Sequence, residues 1–84
     1  MTKVNTTLGN ATINFASMKR GSGYGQYKVQ VEIDLEGEKH EFSFRSTDSQ
    51  LFDKVHGEDN EFETLMEEGS MLIEREVEDY VNGL

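Results

Sequence analysis

Between Tyr27 and Leu35 apolar and polar residues alternate without a break: Tyr27, Val29, Val31, Ile33 and Leu35 take one side, and Lys28, Gln30, Glu32 and Asp34 the other. A period of two with one apolar side belongs to a strand that has one buried face and one wet face, which commits the chain to a sheet covered on one side. Glu36-Gly37 then supplies a two-residue turn. A hairpin closed there sets Ile33 opposite His40, Val31 opposite Phe42 and Val29 opposite Phe44 on the inner face. Lys28 with Arg45 and Asp34 with Lys39 meet on the wet face, where Glu32 opposite Glu41 brings two like charges together. A slip of one residue would turn every side chain over, so this register is strongly specified.

Residues 3–8 and 11–17 alternate in the same way around Gly9-Asn10, a favoured pair for a type II′ turn. That turn predicts Leu8 opposite Ala11, Thr6 opposite Ile13 and Val4 opposite Phe15, all on one face. The period changes after the strands. Thr47-Asp48-Ser49-Gln50 reads as a capping box with Thr47 as the cap, opening a short helix that carries Leu51, Phe52 and Val55 and stops at Gly57. Residues 60–82 repeat apolar positions at three- and four-residue spacing, among them Phe62, Leu65, Ile73, Val77 and Val81, with Asn60 and Glu63 as the start signal. Gly69-Ser70 interrupts the middle, which leaves one helix with a soft kink or two helices meeting at a Gly stop; the stripe stays in phase across it, which favours one. The expected fold is α+β: a four-stranded antiparallel sheet of two hairpins with one face covered by two C-terminal helices (ββββαα), in a single domain over residues 1–84.

The chain has no Cys, which excludes a disulfide scaffold, a Cys-based zinc site and a thiol nucleophile. No apolar run approaches the ~20 residues of a membrane span, and residues 1–20 lack the pattern of a signal peptide, so a cytoplasmic protein is expected. His40 reads as a hydrogen-bonded histidine at the core's edge and His56 as a helix-end residue capping carbonyls. No nucleophile stands beside a poised base, and the acidic run at residues 58–61 lacks the order of a calcium loop. The expectation is a protein that is not an enzyme and has no cofactor and no metal.

Charge is unevenly divided. Residues 1–31 carry four bases and no acid, residues 32–84 carry 17 acids and four bases, and +4 with −13 gives the net −9. From Glu58 to Asp79 there are ten acids and one base, Arg75. At ~1.5 Å rise per residue the stretch spans roughly 33 Å of helix, or about one negative charge per 3.3 Å; one strand of B-DNA carries one per ~3.4 Å. Solubility and helix propensity also put Glu on solvated faces. A face selected for stability alone, however, alternates signs to gain i,i+4 pairs, and these like charges repel. Glu63, Glu67, Glu68, Glu74 and Glu78 are therefore the candidate contacts for a basic partner surface, that of a nucleic-acid-binding enzyme. In size, acidity and lack of a catalytic constellation the chain resembles the small inhibitors that bacteriophages and mobile elements make against host nucleases, including anti-CRISPR proteins and other DNA mimics. The likeness is one of class, covers no particular segment and implies a non-enzymatic inhibitor.

Two alternatives come from other regions. The loop after Lys19 is rich in glycine, and Lys19, Arg20, Tyr24, Tyr27 and Lys28 combine charge with aromatic faces, as a small single-stranded nucleic-acid-binding module would. Its Gly-x-Gly-x-Gly spacing leads from strand to strand and does not match a dinucleotide fingerprint. The other alternative is a homodimer or larger assembly formed through an uncovered sheet edge or the Thr/Asn-rich outer face.

Overall fold

The computed structural model describes residues 2–6, 9–21, 23, 25–57 and 59–84. Strands β1 (Thr2–Thr6), β2 (Gly9–Arg20), β3 (Tyr27–Leu35) and β4 (Glu38–Ser46) are followed by helices α1 (Ser49–Val55), α2 (Glu61–Glu68) and α3 (Ser70–Asn82). The strands form one antiparallel sheet in the order β1-β2-β3-β4. The helices cover its inner face, so the α+β architecture follows the alternation in the sequence. Among the described residues there are three helices, because residues 60–82 form two.

The β3–β4 hairpin has the predicted register throughout, from Leu35↔Glu38 to Tyr27↔Ser46. Its turn works because Glu36 (φ 49°) and Gly37 (φ 89°) both take the positive φ that a type I′ turn requires. All five apolar residues of β3 are buried. Lys28 faces Lys19 on one side and Arg45 on the other, so like charges meet there as well as at Glu32 and Glu41.

The first hairpin differs from expectation. Val4 pairs with Ala11 and Thr6 with Gly9, so Gly9-Asn10 lies inside β2 and is not the turn. In the observed register β2 and β3 meet at this end: the Glu36 side chain occupies the space that a Cβ on Gly9 would fill, and its carboxylate accepts the Asn10 N–H at 3.2 Å. Gly9 (φ 124°) lets the two hairpin ends approach. Leu8, expected opposite Ala11, lies outside the described residues. A second difference is a bulge, since Ile13 pairs with Ile33 but Phe15 pairs with Glu32. The extra residue moves the buried positions of β2 from Ala11 and Ile13 to Ala16 and Met18. Phe15, expected inside, is therefore 50% exposed on the outer face, where its ring meets Phe62 at 5.8 Å.

Asp48, not Thr47, caps α1: its carboxylate accepts the Leu51 N–H at 3.0 Å, and Ser46 Oγ accepts the Asp48 N–H at 3.2 Å. Leu51, Phe52 and Val55 are buried as expected, and Gly57 ends the turn at φ 97°. Asn60 caps α2 as expected, with Oδ1 accepting the Glu63 N–H at 3.1 Å. Of the two arrangements open for residues 60–82, the less favoured one forms: two helices, separated by Gly69 at φ −119° and ψ 20°. Hydrogen bonds from Gly69 N to Leu65 O (2.8 Å) and from Ile73 N to Gly69 O (3.0 Å) carry the backbone through the break. A Cβ on Gly69 would stand 3.1 Å from Leu51 Cδ2, so α1 packs on bare backbone at this corner. The apolar stripe stays in phase because both helices face the same core, through Leu65 on one and Ile73, Val77 and Val81 on the other.

Candidate functional site

The five carboxylates singled out above divide between two helices. Glu63, Glu67 and Glu68 stand on α2, Glu74 and Glu78 on α3, and the non-helical Gly69 lies between. They do not belong to one continuous helix, so the comparison with a phosphate strand, which assumes an unbroken helical rise, applies within each helix only. Leu65 turns α2 inward, leaving Glu61, Glu63, Glu67 and Glu68 exposed. On α3 the buried residues Ile73, Val77 and Val81 set the inward side. At ~100° per residue Arg75 and Asp79 then point outward, with Glu74 and Glu78 on one flank and Glu76 on the other. Their burial agrees: Glu78 and Asp79 are exposed, while Glu74 and Glu76 are half-buried.

Compensation is sparse. Glu68 Oε2 meets Lys54 Nζ at 3.3 Å, and Glu63 Oε2 accepts a hydrogen bond from Asn60 Nδ2 at 3.0 Å. Among the described residues Glu67, Glu74 and Glu78 contact no cation. Glu63 and Glu67 are one turn apart, as are Glu74 and Glu78, so each pair repels. What this surface can do chemically is hold positive groups: its carboxylate acceptors outnumber its cationic donors, Arg75 and Lys54, and the helices that carry them are fixed by the core.

The residues of the glycine-rich loop separate. Lys19 and Lys28 face each other on the outer side of the sheet, next to Arg45, in a row of three cations across three strands. Arg20 turns to the other side, its guanidinium 5.4 Å from the centre of the Phe52 ring. Tyr27 is buried and stacks on Phe52 at 4.4 Å, so it offers no free face to a base. Tyr24 lies outside the described residues. The Lys19–Lys28 contact was not legible beforehand, because the bulge and the connection between β2 and β3 set it.

His40 is bound into the core's rim, with Nδ1 3.1 Å from Tyr80 Oη and Nε2 3.6 Å from Glu38. The His56 ring lies on Phe52 at 5.2 Å, and it is the His56 backbone N–H that donates to Phe52 O at 2.8 Å. Among the described residues no three His, Asp or Glu side chains are grouped to hold a metal ion. Among the described residues no helix is long and apolar enough to cross a membrane. Compared with protein-family models, with curated proteins and with solved structures, the chain matches none of them.

Proposed function

We propose that this is a non-enzymatic acidic binding protein, whose α2 and α3 carboxylates dock on the basic surface of a nucleic-acid-binding protein and exclude its nucleic acid. The observation that carries this reading is the set Glu67, Glu74 and Glu78: exposed or half-buried, repelling their own neighbours, and without a cation among the described residues. Self-repulsion of this kind lowers stability, and a cationic partner converts it into attraction. The partner class is defined by chemistry: a surface of Lys and Arg evolved to hold phosphates, as a phage-type or anti-CRISPR-like inhibitor requires.

The test compares the wild type with the triple variant Glu67→Lys, Glu74→Lys, Glu78→Lys as immobilised baits in nuclease-treated lysate, with stepwise salt elution. The wild type is expected to retain nucleic-acid-binding proteins that leave as salt rises, and to displace labelled DNA from whichever is captured. Retention of the same proteins by the triple variant, folded by circular dichroism, overturns the proposal.

A further inference from the structure

The outer strand β4 leaves one edge of the sheet open: it is last in the order β1-β2-β3-β4, nine residues long, regular in register, and free of proline. Among the described residues nothing pairs with that edge. Long, regular open edges are templates for another strand unless charge, proline or a bulge blocks them. The question is therefore what the edge residues select.

A two-residue turn closes on a hydrogen-bonded pair, and such pairs alternate along the ladder. With Leu35 and Glu38 flanking the turn, the amide and carbonyl groups of Lys39, Glu41, Ser43 and Arg45 point to the open edge. An antiparallel second copy of β4 can pair there in several registers. Centred on Glu41, two glutamates oppose each other; centred on Phe42, Lys39 opposes Arg45. Centred on Ser43, Glu41 opposes Arg45 twice, and Phe42 opposes Phe44 twice on the inner face.

We infer that the protein forms a two-fold dimer through β4, in the register that places Ser43 opposite Ser43 of a second copy, making one eight-stranded sheet. Charge complementarity chooses the occupant, and with the length of overlap it chooses the register: centred on His40, Lys39 also opposes Glu41 twice, but only residues 38–42 of β4 pair, against 40–46 when centred on Ser43. Within one copy Glu41 faces Glu32 and Arg45 faces Lys28, so each outer end of β4 sits in a like-charge contact. The second copy supplies the opposite sign to both. On the inner face Phe42 and Phe44 are only partly buried, and Phe42 already stacks on Tyr80 at 4.5 Å. Each ring would gain a ring from the other copy, extending that stack across the two-fold axis.

The decisive feature is that the edge charges act in opposite directions on the fold and on the dimer. Glu41→Arg places an arginine opposite Glu32, which favours the folded monomer, but it opposes Arg45 of the second copy. Arg45→Glu is the mirror case beside Lys28. In about 0.15 M salt, where long-range repulsion between acidic copies is screened, sedimentation should give twice the 9.6 kDa chain mass for the wild type. Each single variant should weaken the dimer by about tenfold, and Glu41→Arg with Arg45→Glu together should restore it. Because the chain has no cysteine, Ser43→Cys gives a clean second readout. Residues in a hydrogen-bonded pair lie ~5.5 Å apart at Cα, inside the range a disulfide spans, so mild oxidation should link the copies rapidly. Gln30→Cys, on the same face of β3, should not link. A wild-type monomer at all concentrations overturns the inference, as does a dimer indifferent to the single charge variants, or Ser43→Cys linking no faster than Gln30→Cys.

Discussion

The ring of Tyr80 lies flat on that of Phe42, 4.5 Å away at 9°, and this contact ties the last helix to the outermost strand. The Tyr80 hydroxyl continues the tie to His40 Nδ1 at 3.1 Å. Tyr80→Phe keeps the stack and should cost about 1 kcal/mol, the net worth of one hydrogen bond. Tyr80→Ala loses both, and its cost should reach about 2–3 kcal/mol because the ring is only half-buried. Urea unfolding of the two variants separates the contributions.

Gly9 and Glu36 should behave as a coupled pair. Gly9→Ala forces a Cβ into positive φ and into the Glu36 side chain, for a loss of about 1–3 kcal/mol. Glu36→Ala removes the obstruction but not the backbone strain. A double-mutant cycle is therefore expected to show the combined variant less destabilised than the sum of the two singles. Strict additivity would show that the close approach does not hold the hairpin ends together.

The start of α1 offers a test of which residue caps it. Asp48→Ala should cost about 1 kcal/mol by leaving the Leu51 N–H unsatisfied. Thr47→Ala should change stability by less than about 0.5 kcal/mol, as expected for a surface position outside the cap. Thermal unfolding of both variants reads the difference directly.

Stability and binding should move in opposite directions at Glu67. Glu67→Lys replaces a repelling pair one turn from Glu63 with an attracting one, with the glutamate on the favourable N-terminal side. A gain of about 0.5 kcal/mol is expected, shrinking as salt is added. Capture of basic partners should fall in the same variant. A loss of stability at low salt would show that the repulsion inferred along α2 is not felt there.

The β3–β4 hairpin was legible residue by residue, because strict alternation and a Glu-Gly turn leave a single register that buries Val29, Val31 and Ile33 together. The first hairpin was legible only in which side of it faces the core. Val4, Ala11 and Ile13 go inside in either register, so the pattern could not distinguish the expected turn at Gly9-Asn10 from the observed one. The bulge that exposes Phe15 left no mark either, since an apolar residue at that position fits alternation perfectly until Ala16 and Met18 take the interior. The acids of the helices were legible as a charge imbalance, but their division at Gly69 was not.

What the sequence determined by itself is whatever repeats locally: strand and helix periods, caps within one residue of their place, the inward side of most elements, and an excess of negative charge. What tertiary structure alone decided is where distant segments meet. Glu36 meets Gly9 and Asn10, and Leu51 packs into the gap left by Gly69. Lys19, Lys28 and Arg45 line up across three strands. Each depends on the approach of groups far apart in the chain, and the energies involved, a steric contact or a single hydrogen bond, outweigh local turn and helix preferences of about 1 kcal/mol or less.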